Sequence, residues 1–467
     1  MKENKMGTMP VHRLLVTMSL PIIVSMLVQA LYNNVDSFFV AKTSREALTA
    51  ISQAFSAQNL MIGIATGTGV GVNALLSRAL GQNDRQKANR IAANGVLLAL
   101  FGFLLILLFG LFGTDLYFKG ILSTATLDDK LDLNLVRQYG NDYLRICCIG
   151  SLGVFLQIMF ERLMQATGRT IFTLFTQGLG AVINIILDPI FIFEEFSLGS
   201  ITIHGFGMGA AGAATATIIG QFAAAIIGIV LNAIFNKDIK LKLTNMRPDF
   251  PIIREIYSIG IPSIVMVAIG SVMFYVINII IMGLSSVGAT IFGVYYKLQS
   301  ITFMPVFGMN NGVIPIIGYN YGAGKRRRMT KAIRLATIYV SAFMIAGLIL
   351  MQIFPKQLLG IFESDPAILD MGATALRTIS LSFLFAGICI ALGSVFQALG
   401  KGTYSLIVSV ARQLVVLVPV AFLLSLSGNL SLIWLSFPIA EFASLTATLI
   451  LYRRINKKII SQIPDED

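Results

Sequence analysis

Apolar stretches near twenty residues long recur along the whole chain, for example at 96–112, 252–284 and 338–354. Each is long enough to cross a bilayer as a helix. Only short polar connections separate them; the longest, 236–249, reads as a linker, and no soluble domain fits between the stretches. The pattern predicts twelve spans at 15–40, 48–76, 91–113, 138–165, 170–194, 209–235, 254–283, 289–318, 331–354, 373–398, 404–426 and 430–452. Several are longer than a bilayer needs, which allows tilt. Pro21, Pro189, Pro262, Pro305, Pro315, Pro419 and Pro438 fall in or near spans, where proline can bend a helix. The expected fold class is all-α and integral to the membrane.

The punctuation of this pattern occurs twice. A shift of 241 positions lays Pro21 on Pro262, Gly67 on Gly308, Gly71 on Gly312, Gly81 on Gly322 and Arg85 on Arg326. Further along, a shift of 232 lays Gln165-Ala-Thr-Gly-Arg169 on Gln397-Ala-Leu-Gly-Lys401, and Arg145 on Arg377. The reading is two six-helix lobes: residues 1–235 as the N-lobe, 236–253 as a cytoplasmic linker, and 254–467 as the C-lobe. An even number of crossings separates the copies, so they form a parallel repeat about an axis along the membrane normal. Duplicated bundles of this kind usually carry solutes at the interface between their halves. The four-residue spacing of Gly63, Gly67 and Gly71 on span two is explained by close helix packing.

Composition agrees with a membrane protein: 56% of residues are hydrophobic, 12% are charged, and mean hydropathy is +0.80. About 25 Lys and Arg, Arg162 and Arg169 among them, fall on the ends and even-numbered connections, against about 6 on the odd-numbered ones. The positive-inside rule then places both termini in the cytoplasm, with the chain multi-pass in the cell membrane. The same asymmetry explains the net charge of +12 without nucleic acid. The basic start runs straight into span one and does not read as a cleavable signal. Cys147, Cys148 and Cys389 lie inside spans and read as small packing residues. His12 and His204 are too few and too far apart for a metal or catalytic constellation. Gly207-Met-Gly-Ala-Ala-Gly212 matches a dinucleotide fingerprint in letters but lacks the βαβ pattern. Neither an enzyme nor a cofactor is expected, and any pumping must draw on an ion gradient.

The candidate chemistry is acids inside spans. Asp36 lies in span one, where a carboxylate costs about 2.5–3.5 kcal/mol on insertion scales and needs partners. At helical spacing Gln29, Tyr32, Asn33 and Asp36 share a face, and Gln177, Asn184 and Asp188 form a narrower stripe on span five. These groups could merely tie helices together. Two acids with an amide between them, all in one half, suit a proton or a small cation better; an oxygen-only set could hold Na⁺. Asp36 falls on Ile277 and Asp188 on Val420 under the repeat, so coupling is expected in the N-lobe. Met61, Tyr275, Lys297 and Met304, with Gln29, Tyr32, Asn33 and Gln177, are candidates for a substrate cavity wall. Deformable Met-rich surfaces suit promiscuous binding. Arg412 and Glu441 are expected to pair between helices, and Arg145 and Arg377 to snorkel.

Ala30-Leu-Tyr-Asn-Asn-Val-Asp36-Ser-Phe-Phe-Val40, Asn184-Ile-Ile-Leu-Asp188-Pro189 and Gly209-Ala-Ala-Gly-Ala-Ala-Thr-Ala-Thr217 carry a resemblance over the whole chain. Here the sequence resembles the multidrug and toxic compound extrusion (MATE) transporters, in their bacterial MepA-like branch. The resemblance implies two six-helix lobes around a central cavity and antiport of amphipathic, often cationic compounds against H⁺ or Na⁺. It also implies a coupling-ion site at Asp36, Asn184, Asp188 and Thr217, with the Ala213 carbonyl a further ligand. A monomer in lipid is expected. The alternative is a flippase for a lipid-linked precursor, whose anionic substrate would want Lys297 and Arg412 in a basic cavity.

Overall fold

The computed structural model describes residues 4–124, 132–198, 201–241, 246–362 and 365–464. Among the described residues ten helices are long and apolar enough to cross a membrane, and counting each of two bent helix pairs as one span brings the number to the twelve expected. Spans one to three are Val11–Ala41, Arg45–Gly81 and Arg85–Phe112. Span four is Leu133–Ile149 with Leu152–Ala166, bent by 46°, followed by span five, Ile171–Ile192, and span six, Ala210–Phe235. The second half repeats the order with Phe250–Met282, Ser286–Gly322 and Arg326–Ile353. Span ten is the bent pair Pro366–Ser380 and Phe383–Ala398, at 44°. Span eleven is Gly402–Ser425, and span twelve joins Leu430–Ile433 to Ser436–Lys458. Its relation to the repeat extends to detail: Ser44 caps span two through Ala47 N–H, and Ser285, 241 positions on, caps span eight through Gly288 N–H.

One feature was not legible in the chain. Glu195–Leu198 and Ile201–His204 pair as an antiparallel hairpin between spans five and six. Gly207 and Gly209, both at positive φ, turn the chain from this hairpin into span six. The letters that match a dinucleotide fingerprint therefore serve a turn.

The halves meet along spans one and two on one side and seven and eight on the other, and the seam is largely backbone. A Cβ on Gly71 would stand 2.3 Å from the Ile256 carbonyl oxygen, and one on Gly312 would stand 3.0 Å from Ser19 Cα. These two glycines are repeat equivalents, so each half offers its small-residue face to the other's first helix. Hydrogen bonds between the halves gather toward the end of the bundle where residues 4 and 464 lie. Asn59 Nδ2 to Ser271 Oγ, at 3.1 Å, is among the furthest from that end. Outward-pointing Leu104, Leu108 and Phe112 leave an apolar flank of the kind lipid covers.

Candidate coupling site in the N-terminal half

Close packing of spans five and six builds the site. A Cβ on Gly220 would lie 2.7 Å from the Gly180 carbonyl oxygen and 3.5 Å from Asn184 Cβ. That approach brings Thr217, one turn before Gly220, against Asn184 on the facing helix. Asn184 Nδ2 donates to Asp188 Oδ1 at 3.2 Å and to Thr217 Oγ1 at 3.3 Å. Asn184 and Asp188 are almost fully buried. Pro189 follows, and its missing N–H leaves the Ile185 carbonyl without its helical donor. Span one supplies Asp36, within electrostatic reach of Asp188. Ala213 lies buried one turn before Thr217 on span six.

Three oxygens in this cluster are buried without a donor: Asp36 Oδ1, Asn184 Oδ1 and Asp188 Oδ2. A buried acceptor left unmatched costs about 1–3 kcal/mol, more when charged. A proton, a small hard cation or a bound water removes that cost, and for a charged carboxylate the first two also remove the charge penalty. Among the described residues no group of three His, Cys, Asp or Glu side chains converges, so the oxygens that gather are mixed carboxylate, amide and hydroxyl.

Beside the cluster is a cavity of about 20 Å³ lined by Tyr32, Gln157, Gln177, Asn184, Thr217 and Gln221. That volume suits a single water-sized occupant. On its far side is an acid that the sequence reading passed over. Glu161 of span four is 5% exposed and accepts from Thr176 Oγ1 at 2.8 Å, Gln177 Nε2 at 3.1 Å and Gln157 Nε2 at 3.2 Å. Gln157 one turn earlier was the available signal, because an amide and an acid at four-residue spacing share a helix face. Arg162 needs correction as well. It is not a connection residue: it lies inside span four, 8% exposed, and donates to Gln165 Oε1 at 2.9 Å.

The other expected residues are more dispersed. Gln29 and Tyr32 stand one turn apart on span one; the side chain of Asn33 lies outside those described. Met61 is packed in the core at 4% exposure, which separates it from any open wall. Tyr275 is exposed on span seven and Met304 half-buried on span eight. Lys297 sits over the Phe362 ring, 5.6 Å from its centroid. Arg412 Nη1 donates to Glu441 Oε1 at 2.7 Å, inside the C-terminal half, at a π-helical segment Ala411–Leu417. No acid of the coupling cluster is repeated there: Ile277, at the position matching Asp36, is a core residue at 0% exposure. A larger open recess of about 450 Å³ lies away from these acids, against the linker, between Arg90 and Arg247.

The chain matches the MatE family twice, over residues 21–190 and 262–423. It belongs to the MatE family. Both matches begin at repeat-equivalent prolines and together cover most of the chain, so each half is one copy of the family's module. The multidrug export protein MepA of Staphylococcus aureus strain MRSA252 is 26% identical over 446 residues, covering 95% of this chain and 94% of that protein. MepA of Staphylococcus saprophyticus is also 26% identical, over 93% of this chain and 92% of its own. Among solved structures, a multidrug resistance MATE transporter in an outward-facing conformation superposes with a TM-score of 0.89 at 21% identity, over 99% of both chains. A Pyrococcus furiosus transporter of the MOP superfamily, described as having a binding pocket of reversed polarity, gives 0.88 at 22% identity over 99% of both. At such identities these structures speak for the fold.

Proposed function

We propose that this MatE protein is a secondary active multidrug exporter, exchanging amphipathic or cationic compounds for H⁺ or Na⁺ by alternating access. The observation that carries the reading is that unmatched buried oxygens of Asp36, Asn184 and Asp188 belong to one cluster in the N-terminal half, whereas Glu441, also with one unmatched oxygen, is already paired with Arg412. Protonation or Na⁺ binding there satisfies those oxygens, and it changes how span one packs on spans five and six. Thr217 and Asn184 position the acids; Ala213 offers its carbonyl. Gln177 and Tyr32 line the adjoining cavity, with Glu161 holding Gln177 from behind, and extend the polar surface along which a cation or a substrate's charged group is held. Under this reading residues 1–235 and 254–467 rock as two lobes joined by the 236–253 linker, as a monomer in the cell membrane with both termini cytoplasmic.

A lipid-linked precursor flippase would draw on basic residues in the C-lobe. The Arg412 charge is already met by Glu441, which supports export over that alternative. Each net charge that an exchange cycle carries inward through 100 mV supplies about 2.3 kcal/mol, enough for a roughly fifty-fold gradient of the exported compound. The test is ethidium efflux from cells expressing the protein, with the proton and sodium gradients collapsed separately. Efflux that stops with one gradient names the coupling ion. Efflux indifferent to both gradients sinks the reading.

A further inference from the structure

The segment ahead of span one crosses from one half of the molecule to the other. Residues Lys5–Thr8 form a short helix, with Met6 fully buried. On the N-terminal half, Asn4 Nδ2 donates to the Thr167 carbonyl at 3.1 Å, and Lys5 lies against the Gly168 turn. On the C-terminal half, Asn320 Nδ2 donates to Met6 O at 3.1 Å and Lys325 Nζ to Gly7 O at 3.1 Å. Arg328 Nη2 donates to Met6 O at 3.2 Å and to Met9 O at 2.6 Å, while its Nε reaches Asn320 Oδ1 at 3.3 Å. Carbonyls at the end of a short helix have no partners of their own, and here cations and an amide of the opposite half supply them.

The segment ahead of span seven does the reciprocal thing. Asp249 forms an ion pair with Arg90, its backbone N–H donates to Asn94 Oδ1 at 2.9 Å, and Lys240 N–H donates to Asn89 Oδ1 at 2.7 Å. Asn89, Arg90 and Asn94 all belong to span three. Arg90 and Lys331 are related by the 241-residue shift, and Arg328 stands one turn before Lys331, so the two docking sites occupy neighbouring turns of equivalent helices. One position breaks the symmetry. Asp84 caps span three through Lys87 N–H, whereas its equivalent Lys325 makes no such cap and reaches the strap instead.

We propose that these two lead-in segments are crossed latches: each half is tied at the terminal end by the strap that introduces the other. Opening toward that end requires both to release. Burial and then the neighbouring Arg169 hold the Lys5 ammonium below its usual pKa. The idea rests on alternating access, but one arm of its test does not need transport. Ser77 is buried between the halves against Gly318, so a cysteine there is reached by maleimide only when the halves part. Native Cys147, Cys148 and Cys389 are buried. In full-length protein carrying Ser77→Cys, adding Arg328→Ala or Arg90→Gln should raise maleimide labelling several-fold, and both together should raise it further. Labelling that does not change overturns the proposal. In the second arm, a reducible bis-methanethiosulfonate crosslink between Met9→Cys and Arg328→Cys, spanning the reach of the arginine it replaces, should abolish dye export, with export restored by reductant. Export undiminished in protein shown to be crosslinked likewise overturns it. Raised labelling without export from the reduced protein would leave the latches standing and strike the transport reading alone.

Discussion

Asn184 and Asp188 stand one helical turn apart on span five, joined by a 3.2 Å hydrogen bond that uses one oxygen of the acid and leaves the other bare. The amide is also bound to Thr217, so it cannot turn to serve that second oxygen without giving up a partner.

Asp188→Asn and Asp36→Asn should therefore each remove ion-driven export while leaving insertion intact. Ethidium efflux normalised to membrane expression measures this. Export at the original rate by both variants would remove the coupling assignment.

Thr217→Ala deletes one hydrogen bond of the Asn184 amide. A bond of this kind is worth about 0.5–1.5 kcal/mol, so the coupling ion's apparent affinity should fall by roughly two- to tenfold. Thr217→Ser keeps the hydroxyl and should stay close to the parent. The ion dependence of efflux in proteoliposomes separates the two.

Glu161 holds three side-chain donors in the interior. Glu161→Ala strands them at about 1–3 kcal/mol each, before any relaxation of the site. Thermal unfolding in detergent should show Glu161→Ala clearly destabilised and Glu161→Gln, which retains an acceptor, less so.

Arg412→Met should destabilise the protein by roughly 3–5 kcal/mol, because Glu441 is left buried without its counter-charge. The double change Arg412→Met with Glu441→Leu should recover most of that loss. A double variant no more stable than the single would mean that the pair's charge is needed for more than mutual compensation.

Gly71→Val and Gly312→Val should each stop export even if the protein inserts, since a side chain there meets backbone of the other half. Gly293→Ala makes a control on span eight, where an added Cβ would meet nothing within 4 Å.

What could be read from the chain was what repeats or what breaks polarity. Runs of apolar residues gave the spans, doubled glycines and prolines gave the two halves, and Asp36, Asn184, Asp188 and Thr217 do gather where spans one, five and six meet. What escaped depends on neighbours far away in sequence. Glu161 sits beside Arg162 near a span end and looked like connection charge, yet its partners Thr176 and Gln177 come from the next helix. Met61 looked suited to a cavity wall, but helix position alone does not say which face is covered. The crossed straps join residues some three hundred positions apart through backbone carbonyls, which carry no signature in the letters.

The seam of close backbone contacts has a bearing on how such a chain can vary. Under the export reading, a change among the exposed aromatics and methionines would alter which compounds are handled, and a lineage could explore such changes one at a time. A change at Gly71 or Gly312 alters whether the two halves can come together at all, whatever the cargo. Inherited diversity in this protein should accordingly collect along its linings and flanks, with its joint left bare.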